Sequence, residues 1–429
     1  MIKKISQKYK ENIRFQQVAK LMSWNFLAIP LSIVTNIIVT RFLGAKNFGD
    51  YMFINNIFNI SILIFSFGLF QAGNRALVLE NDKQKAKEYY GSELILTGGI
   101  YIIMLFALLL YGMFDQNIAE KGIKTEFLYI IPFGFIYLLT QYFEVLFQAD
   151  NRIELLIKTR YYPKLGFFIS AGLIYFLFQN YSGNRLFIIW TFFLITQVLV
   201  YAYAVKKINV SFANLKFRIK EIFNFNKTFG FNVYLGSLFA VGFAQLAGIL
   251  ISYHGATNSG VGFYSLALSL VAPLSFIPNV IATTHYKDFS KVDKVPRKLL
   301  MITVSISITA LLALLLIIPP FIHFFYKPEF NVVINLAYIT SIGAILYGLA
   351  DFFNRFLGAN GDGKALRNCS IIVGVSILIS NIIIIPKWHE TGAAIAYLLA
   401  GLVYLITILL YYNKMIKKNL NIVKSHKVI

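Results

Sequence analysis

The stretch LLMITVSISITALLALLLII, Leu299 to Ile318, runs for twenty residues without a charge. A helix needs about 20 such residues to cross a hydrocarbon layer about 30 Å thick. No water reaches that layer, so the backbone there must satisfy its own hydrogen bonds, which a helix does. Eleven further predominantly apolar runs lie along the chain, at 21–41, 50–73, 91–112, 126–147, 161–180, 186–205, 231–252, 261–284, 331–352, 369–386 and 392–412. The fifth and sixth are parted only by NYSGN and the eleventh and twelfth by KWHETG. Both gaps carry turn chemistry, and either pair is too long for one helix. The expected fold is therefore all-α and integral to a membrane, with twelve transmembrane helices.

Composition agrees. Hydrophobic residues make up 58% of the 429 residues and charged residues 14%, against about 45–50% and about 25% in soluble domains. The net charge of +21 does not point to nucleic acid, because the basic residues sit in short gaps between apolar runs. With both termini inside, the inner segments hold 33 of the 40 Lys and Arg residues, counting Lys164 at the entry to the fifth run. Basic residues are retained on the cytoplasmic face, so both termini are expected in the cytoplasm. Residues 1–20 read as a basic, amphipathic cytoplasmic lead-in rather than a cleaved signal peptide.

Several function classes drop out. A single cysteine, Cys369, allows no internal disulfide and no cysteine-based zinc cluster. His254, His285, His323, His389 and His426 are scattered over different gaps without metal-ligand spacing. There is no Walker A sequence, and GANGDG at 358–363 follows no strand, so neither ATP nor another cofactor is expected. The outer gaps reach only about a dozen residues, which leaves no room for an outer catalytic domain.

The chain divides near its middle. The inner gap at 206–230, KKINVSFANLKFRIKEIFNFNKTFG, interleaves apolar residues with Lys206, Lys207, Lys216, Arg218 and Lys220. It reads as an interfacial helix on anionic lipid, or alternatively as a site for a regulatory partner. On either side lie a six-helix bundle at 21–205 and another at 231–412, with a basic cytoplasmic tail at 413–429. After the first run comes GAKNFG (44–49) and after the seventh GATNSG (255–260), a shared G-A-x-N-x-G at an offset of 211 residues. Parallel six-helix repeats place such loops on one side and a substrate site between the halves. The pentapeptide RFLGA also occurs twice, at 41–45 and 355–359. Its copies fall on opposite sides of the membrane and so do not mark the repeat.

Ionisable residues inside a membrane are functional by default. Glu144 lies about one turn inside the fourth run, whereas Glu93, Glu126, Lys164 and Asp351 lie at run ends. Uncharged polar residues form stripes: Asn25, Ser32, Asn36 and Thr40 share one helical face, Asn55 and Asn59 are four apart, and Gln245 and Ser252 seven apart. Such stripes are costly against lipid. They fit helix–helix hydrogen bonding or a wet cavity, and their occurrence in the first helices of both halves favours the cavity. Pro30, Pro132, Pro273 and Pro278 add kinks.

Two long segments carry a family resemblance. VTRFLGAKNFGDYMFINNIFNISILIFSFGLFQAGNRALV at 39–78 resembles the first-to-second helix region of bacterial polysaccharide-unit flippases of the O-antigen and capsule type. These belong to the multidrug/oligosaccharidyl-lipid/polysaccharide exporter superfamily. FLGANGDGKALRNCSIIVGVSILISNIIIIPKWHETGAAIAYLLAGLVYLITILLYY at 356–412 is similar to that family's last two helices. The resemblance implies two six-helix bundles around a central cavity that opens alternately to either side. It implies a non-enzymatic flippase that moves an undecaprenyl-diphosphate-linked oligosaccharide across the plasma membrane. The expected partners are that lipid-linked oligosaccharide, a coupling ion (proton or sodium), anionic lipids and other polysaccharide-assembly proteins. Cationic cavities in this family suit a diphosphate, and Arg41 and Arg75 match its arginines at the first-span exit and second-span end. The chain departs in having no arginine or lysine mid-span, so its cavity cations come from span ends: Arg41 outside, and Arg75, Arg160, Lys164 or Arg355 inside. The substrate-binding set is thus Arg41, Arg75, Asn25, Asn36, Asn55, Asn59, Gln245, Glu144 and Arg355. A cation-coupled multidrug exporter is the alternative, with 41 Phe and 26 Tyr to line a pocket. A membrane glycosyltransferase or polymerase fits less well with the short outer loops.

Overall fold

The computed structural model describes residues 13–179 and 181–426, and among these there is no strand. Among the described residues eight helices are long and apolar enough to cross a membrane. Two of them bend sharply and each holds two of the expected runs. Contacts divide the chain into two compact units, 1–43 with 57–235, and 44–56 with 236–429.

In the first unit α1 (Ile13–Phe65) contributes residues on both sides of its bend at Gly44. It is followed by α2 (Leu69–Leu79), α3 (Lys83–Phe114), the short α4 (Gln116–Glu120) and α5 (Lys124–Ile130), then α6 (Gly134–Ala149), α7 (Ile153–Leu177) and α8 (Arg185–Ile208). Starts are capped: Asp82 accepts from the Gln84 N–H, Asp115 from Ile118, and Asn184 from Leu186 and Phe187. The interior is aromatic. Phe58 stacks on Tyr137 with ring centroids 4.9 Å apart, Phe143 meets Tyr142 at 5.1 Å and Tyr201 at 5.2 Å, and Trp190 meets Phe193 at 5.5 Å. Rings bury much area with few rotatable bonds, which suits packing where lipid supplies no hydrophobic drive between helices. Outward faces stay apolar, as at Ile102, Phe106 and Phe176.

The inner gap folds as α9 (Leu215–Phe225) on this unit. Arg218 and Ile222, one turn apart, are its buried pair, while Lys216, Phe217, Lys220 and Phe223 face outward. Arg218 donates to Glu88 at 2.8 Å and to Glu221 at 2.7 Å, and Tyr89 donates to Glu221 at 3.0 Å. Burial works against the guanidinium charge, but these bonds outweigh it and hold the pKa of Arg218 above its ordinary value. A π turn follows at Asn226–Gly230, then α10 (Phe231–Ser237).

The second unit holds α11 (Phe243–His254), α12 (Ser259–Thr284), α13 (Tyr286–Phe289), α14 (Arg297–Phe325), α15 (Val332–Ala359) and α16 (Gly363–His426), the last bent at His389 with φ 45°. That bend falls in KWHETG, where a turn between two runs is expected. Phe289, Phe352, Phe353, Phe356, Cys369 and Ile408 form one buried cluster. The GANGDG segment is a turn into α16, with Gly361 at φ 80° and Asp362 accepting from the Ala365 N–H.

Residues 44–56 of α1 pack within this second unit. Gly44 adopts φ 77°, a value that strains any residue with a Cβ. Glu329 accepts from the Ala45 N–H at 2.9 Å and so satisfies the first donor after the bend. The two G-A-x-N-x-G copies meet: Asn258 donates to Asp50 at 2.8 Å, and Ser252 donates to Asn258 at 2.5 Å. A Cβ on Gly49 would lie 2.0 Å from the Asn258 carbonyl oxygen. Gly49→Ala is expected to lower the melting temperature by several degrees, since overpacking costs about 1–3 kcal/mol. Gly98→Ala, with no atom within 4 Å of the added Cβ, is the control and leaves it unchanged or slightly raised.

Candidate functional site

The densest meeting of cations, rings and polar side chains among the predicted residues lies in the first unit, where α1, α6 and α7 converge. The chain turns from α6 to α7 at Asn151, with φ 51°, a conformation that asparagine tolerates better than most residues. On α7, Arg160 and Lys164 are one turn apart with Tyr161 beside them. Pro163 lies within the helix and cannot donate to the Thr159 carbonyl, which loosens the turn that carries them.

Tyr161 is buried and donates its hydroxyl to Asn25 Oδ1 on α1. Its ring stacks on Trp24 with centroids 5.7 Å apart and planes 19° apart, and Trp24 also meets Tyr162 at 5.9 Å. Arg160 and Lys164 lie over the Tyr161 ring, at 6.0 Å and 5.9 Å from its centroid. Arg160 makes a two-pronged contact with Glu144 on α6, with Nε 3.0 Å from Oε2 and a second bond from Nη2 to Oε1. Gln148 donates to the same carboxylate at 2.7 Å. One turn ahead of Trp24, Lys20 donates to Glu154 at 2.8 Å, and that bond holds this exposed carboxyl below its ordinary pKa. The arrangement offers flat apolar rings, a fixed guanidinium and an exposed ammonium within a few residues.

Of the predicted residues, Asn25, Glu144, Arg160 and Lys164 are brought to one cluster, gathered around Tyr161. The others lie elsewhere. Arg41 is half-buried just before the Gly44 bend, and Arg75 is exposed on α2 with its guanidinium 6.0 Å from the Phe229 ring. Asn36 is half-buried further along α1. Asn55 donates to the Tyr51 carbonyl at 2.9 Å and belongs to the second unit, whereas the exposed Asn59 belongs to the first. Gln245 is half-buried on α11, and Arg355 is exposed on α15, one turn beyond Asp351. Asp351 accepts from Tyr404 at 3.0 Å and from Asn279 at 3.3 Å. Sequence reasoning did not single out Trp24 or Tyr161. Their signal was an aromatic residue beside each polar one, at the start of two different apolar runs. Among the described residues no group of His, Cys, Asp or Glu is placed to hold a metal ion.

This fold and these long apolar helices define a multi-pass membrane protein. Residues 15–291 match the family described as polysaccharide biosynthesis protein, and the chain belongs to that family. Among relatives, an uncharacterized membrane protein of Methanocaldococcus jannaschii is 24% identical over 94% of this chain and 85% of its own length. The capsular polysaccharide biosynthesis protein CapF of Staphylococcus aureus is 23% identical over 79% of this chain and 85% of its own. Among solved structures, the lipid II flippase MurJ in an inward closed conformation is similar with a TM-score of 0.71, at 16% identity, covering 92% of this chain and 89% of that one. An inward-facing multidrug resistance MATE family transporter of the MOP superfamily matches with a TM-score of 0.67, at 13% identity, covering 90% and 94%.

Replacing Arg160 by Ala leaves the half-buried Glu144 carboxylate without its main partner. A lost hydrogen bond to a charged group is worth about 1.5–3 kcal/mol, reduced here by partial solvent access. Thermal unfolding of Arg160→Ala is expected to shift down. A Glu144→Gln/Arg160→Gln double variant recovers part of that loss, and a double-mutant cycle measures the coupling.

Proposed function

We propose that the protein is a flippase that moves an undecaprenyl-diphosphate-linked oligosaccharide from the inner to the outer leaflet of the bacterial plasma membrane by alternating access. The product would serve surface polysaccharide synthesis. Both termini lie in the cytoplasm in this reading. The observation that carries it is the Trp24–Tyr161 stack with Lys164 and Arg160 beside it. A lipid-linked sugar diphosphate presents three chemistries at once: a polyprenyl tail that stays in lipid, a diphosphate that needs cations, and sugar rings whose C–H faces pack on aromatic rings. The cluster offers the last two close to the start of apolar helices that offer the first. Family membership, the CapF relative and the MurJ-like fold support the same reading.

Arg41, Arg75 and Arg355 supply further cationic contacts in this scheme, and Asn36, Asn55, Asn59 and Gln245 supply hydrogen bonds to sugar hydroxyls. The outward face of α9, with Lys216, Phe217, Lys220 and Phe223, lies on anionic lipid. A coupling ion, proton or sodium, drives the cycle, and other polysaccharide-assembly proteins take up the product.

The test is genetic and biochemical together. Trp24→Ala and Lys164→Ala should cut delivery of surface polysaccharide by about tenfold, the factor that 1.4 kcal/mol of lost binding gives. Lipid-linked repeat units should accumulate in the membrane while the amount of the protein is unchanged. Arg41→Ala and Arg75→Ala are expected to act in the same direction. Normal surface polysaccharide in both the Trp24 and Lys164 variants sinks the proposed site. Loss of drug resistance with intact polysaccharide in a deletion strain favours a multidrug exporter instead.

A further inference from the structure

Glu93 is the most isolated acid in the first unit. It lies ten residues into α3 and is fully buried. Both of its carboxylate oxygens are buried with no side-chain donor or counter-charge among the described residues, and the polar contact they have is with the backbone of Gly73. Glu88, five residues earlier on α3, instead accepts from Arg218 and Asn214. Glu144 accepts from Arg160 and Gln148. An ionised carboxylate without water or a counter-charge is among the most costly groups a protein interior can hold, and an unpaired buried acid in a membrane calls for an explanation.

Its surroundings supply one. The carboxyl lies against the backbone of Gly73 on α2: a Cβ built there would stand 1.8 Å from Oε1, so the acid fills the space that a side chain on Gly73 would take. Helix α2 is a short element set off from α1 by a break at Ser66–Gly68, where Phe67 and Gly68 have φ of 46° and 80°. The charged and titratable groups on the elements packed around α3 are engaged elsewhere. On α2, Arg75 lies over the Phe229 ring. On α6, the Tyr142 hydroxyl donates to the Tyr90 carbonyl at 2.9 Å, and Glu144 is bound to Arg160. On α9, Arg218 and Glu221 are bound to each other, and Arg218 also to Glu88. At the turn after α6, Asp150 is bound to Arg152 and accepts from the Tyr90 hydroxyl at 3.1 Å. On α5, at the far end of α3, Lys124 donates to the Met113 carbonyl at 3.1 Å and Glu126 accepts from Asn184 at 2.5 Å.

We infer that Glu93 is a proton-binding site coupled to the docking of α2, and that the proton it carries is the coupling ion of the transport cycle. The coupling half of this inference rests on the flippase reading; the proton site does not. With α2 docked, a proton from the aqueous phase adds to one carboxylate oxygen and the neutral acid fits the Gly73 groove. When α2 swings on the Ser66–Gly68 break, water reaches the carboxyl and the same proton leaves. No other bond forms or breaks.

Two measurements test it. Infrared spectra of the purified protein in lipid nanodiscs at neutral pH should show the carbonyl band of a protonated carboxylic acid. That band should be missing from Glu93→Gln and shifted but retained in Glu93→Asp, which separates a proton site from a packing role. In proteoliposomes, translocation of a fluorescent lipid-linked oligosaccharide should change severalfold when a pH gradient is imposed on the wild type. Glu93→Gln should respond less than twofold and Glu93→Asp should respond like the wild type. An infrared spectrum unaltered in Glu93→Gln overturns the proton site, and an unaltered gradient response overturns the coupling. A band lost in Glu93→Gln, in a wild-type protein that translocates no lipid-linked oligosaccharide, supports the proton site and removes the flippase reading.

Discussion

In hydrocarbon every backbone N–H and C=O must find its partner inside the protein, and the architecture follows from that constraint. It makes each membrane segment a helix and leaves only a few places where a helix can stop. At each break something replaces the missing ladder. At Gly44 a glycine takes the positive φ and Glu329 caps the next donor, Ala45. At Phe67 the freed carbonyl accepts from Asn226 at 3.1 Å. At the end of α6 the N–H of Arg152 returns to the Phe147 carbonyl at 2.9 Å. The polar side chains beside the breaks are therefore partly structural, and a functional reading has to begin from the ones such bonds do not consume.

The same constraint explains what the sequence revealed. Long uncharged runs and the crowding of Lys and Arg into alternate gaps require no knowledge of the fold, because lipid alone imposes them. The helical class and the two bends within GAKNFG and KWHETG were legible for that reason. The paired G-A-x-N-x-G motif was legible as a shared pattern at an offset of 211 residues. That its copies touch one another, Gly49 against Asn258, was not, because contact between distant segments leaves no period in the sequence.

The site was legible only in part, and for a physical reason. A stripe such as Asn25, Ser32, Asn36 and Thr40 shows which residues share a face but not what the face meets. Thr40 turns out to bond its own helix, donating to the Asn36 carbonyl at 2.7 Å, whereas Asn25 reaches across to Tyr161. Glu144 was noticed because it lies inside an apolar run. Glu93 was passed over as a run-end residue because depth along one helix was the only measure available. Its isolation depends on Gly73, a residue on another helix that contributes no side chain at all.

The first third of α3 is where the short elements of the first unit are fastened. Glu88 holds α9 through Arg218 and Asn214, and Ser211 donates to the Lys87 carbonyl at 3.0 Å. One and a half turns on, Glu93 meets α2 through Gly73. The two attachments are joined a second time, since the π turn after α9 places Asn226 on the Phe67 carbonyl and Gly230 against Gly68, where a Cβ on Gly68 would lie 2.5 Å from the Gly230 oxygen. The result is a closed circuit of contacts running from α3 through α9 to the hinge, along α2, and back to α3. Joints closed in this way constrain one another, and coupling between sites needs an element among them with two arrangements. Of its two acidic joints, Glu88 is paired with Arg218, and Glu93, which has no such counter-charge, is the proton-binding one. A proton arriving there alters the joint at Gly73 without touching the ion pair that keeps the linker helix in place.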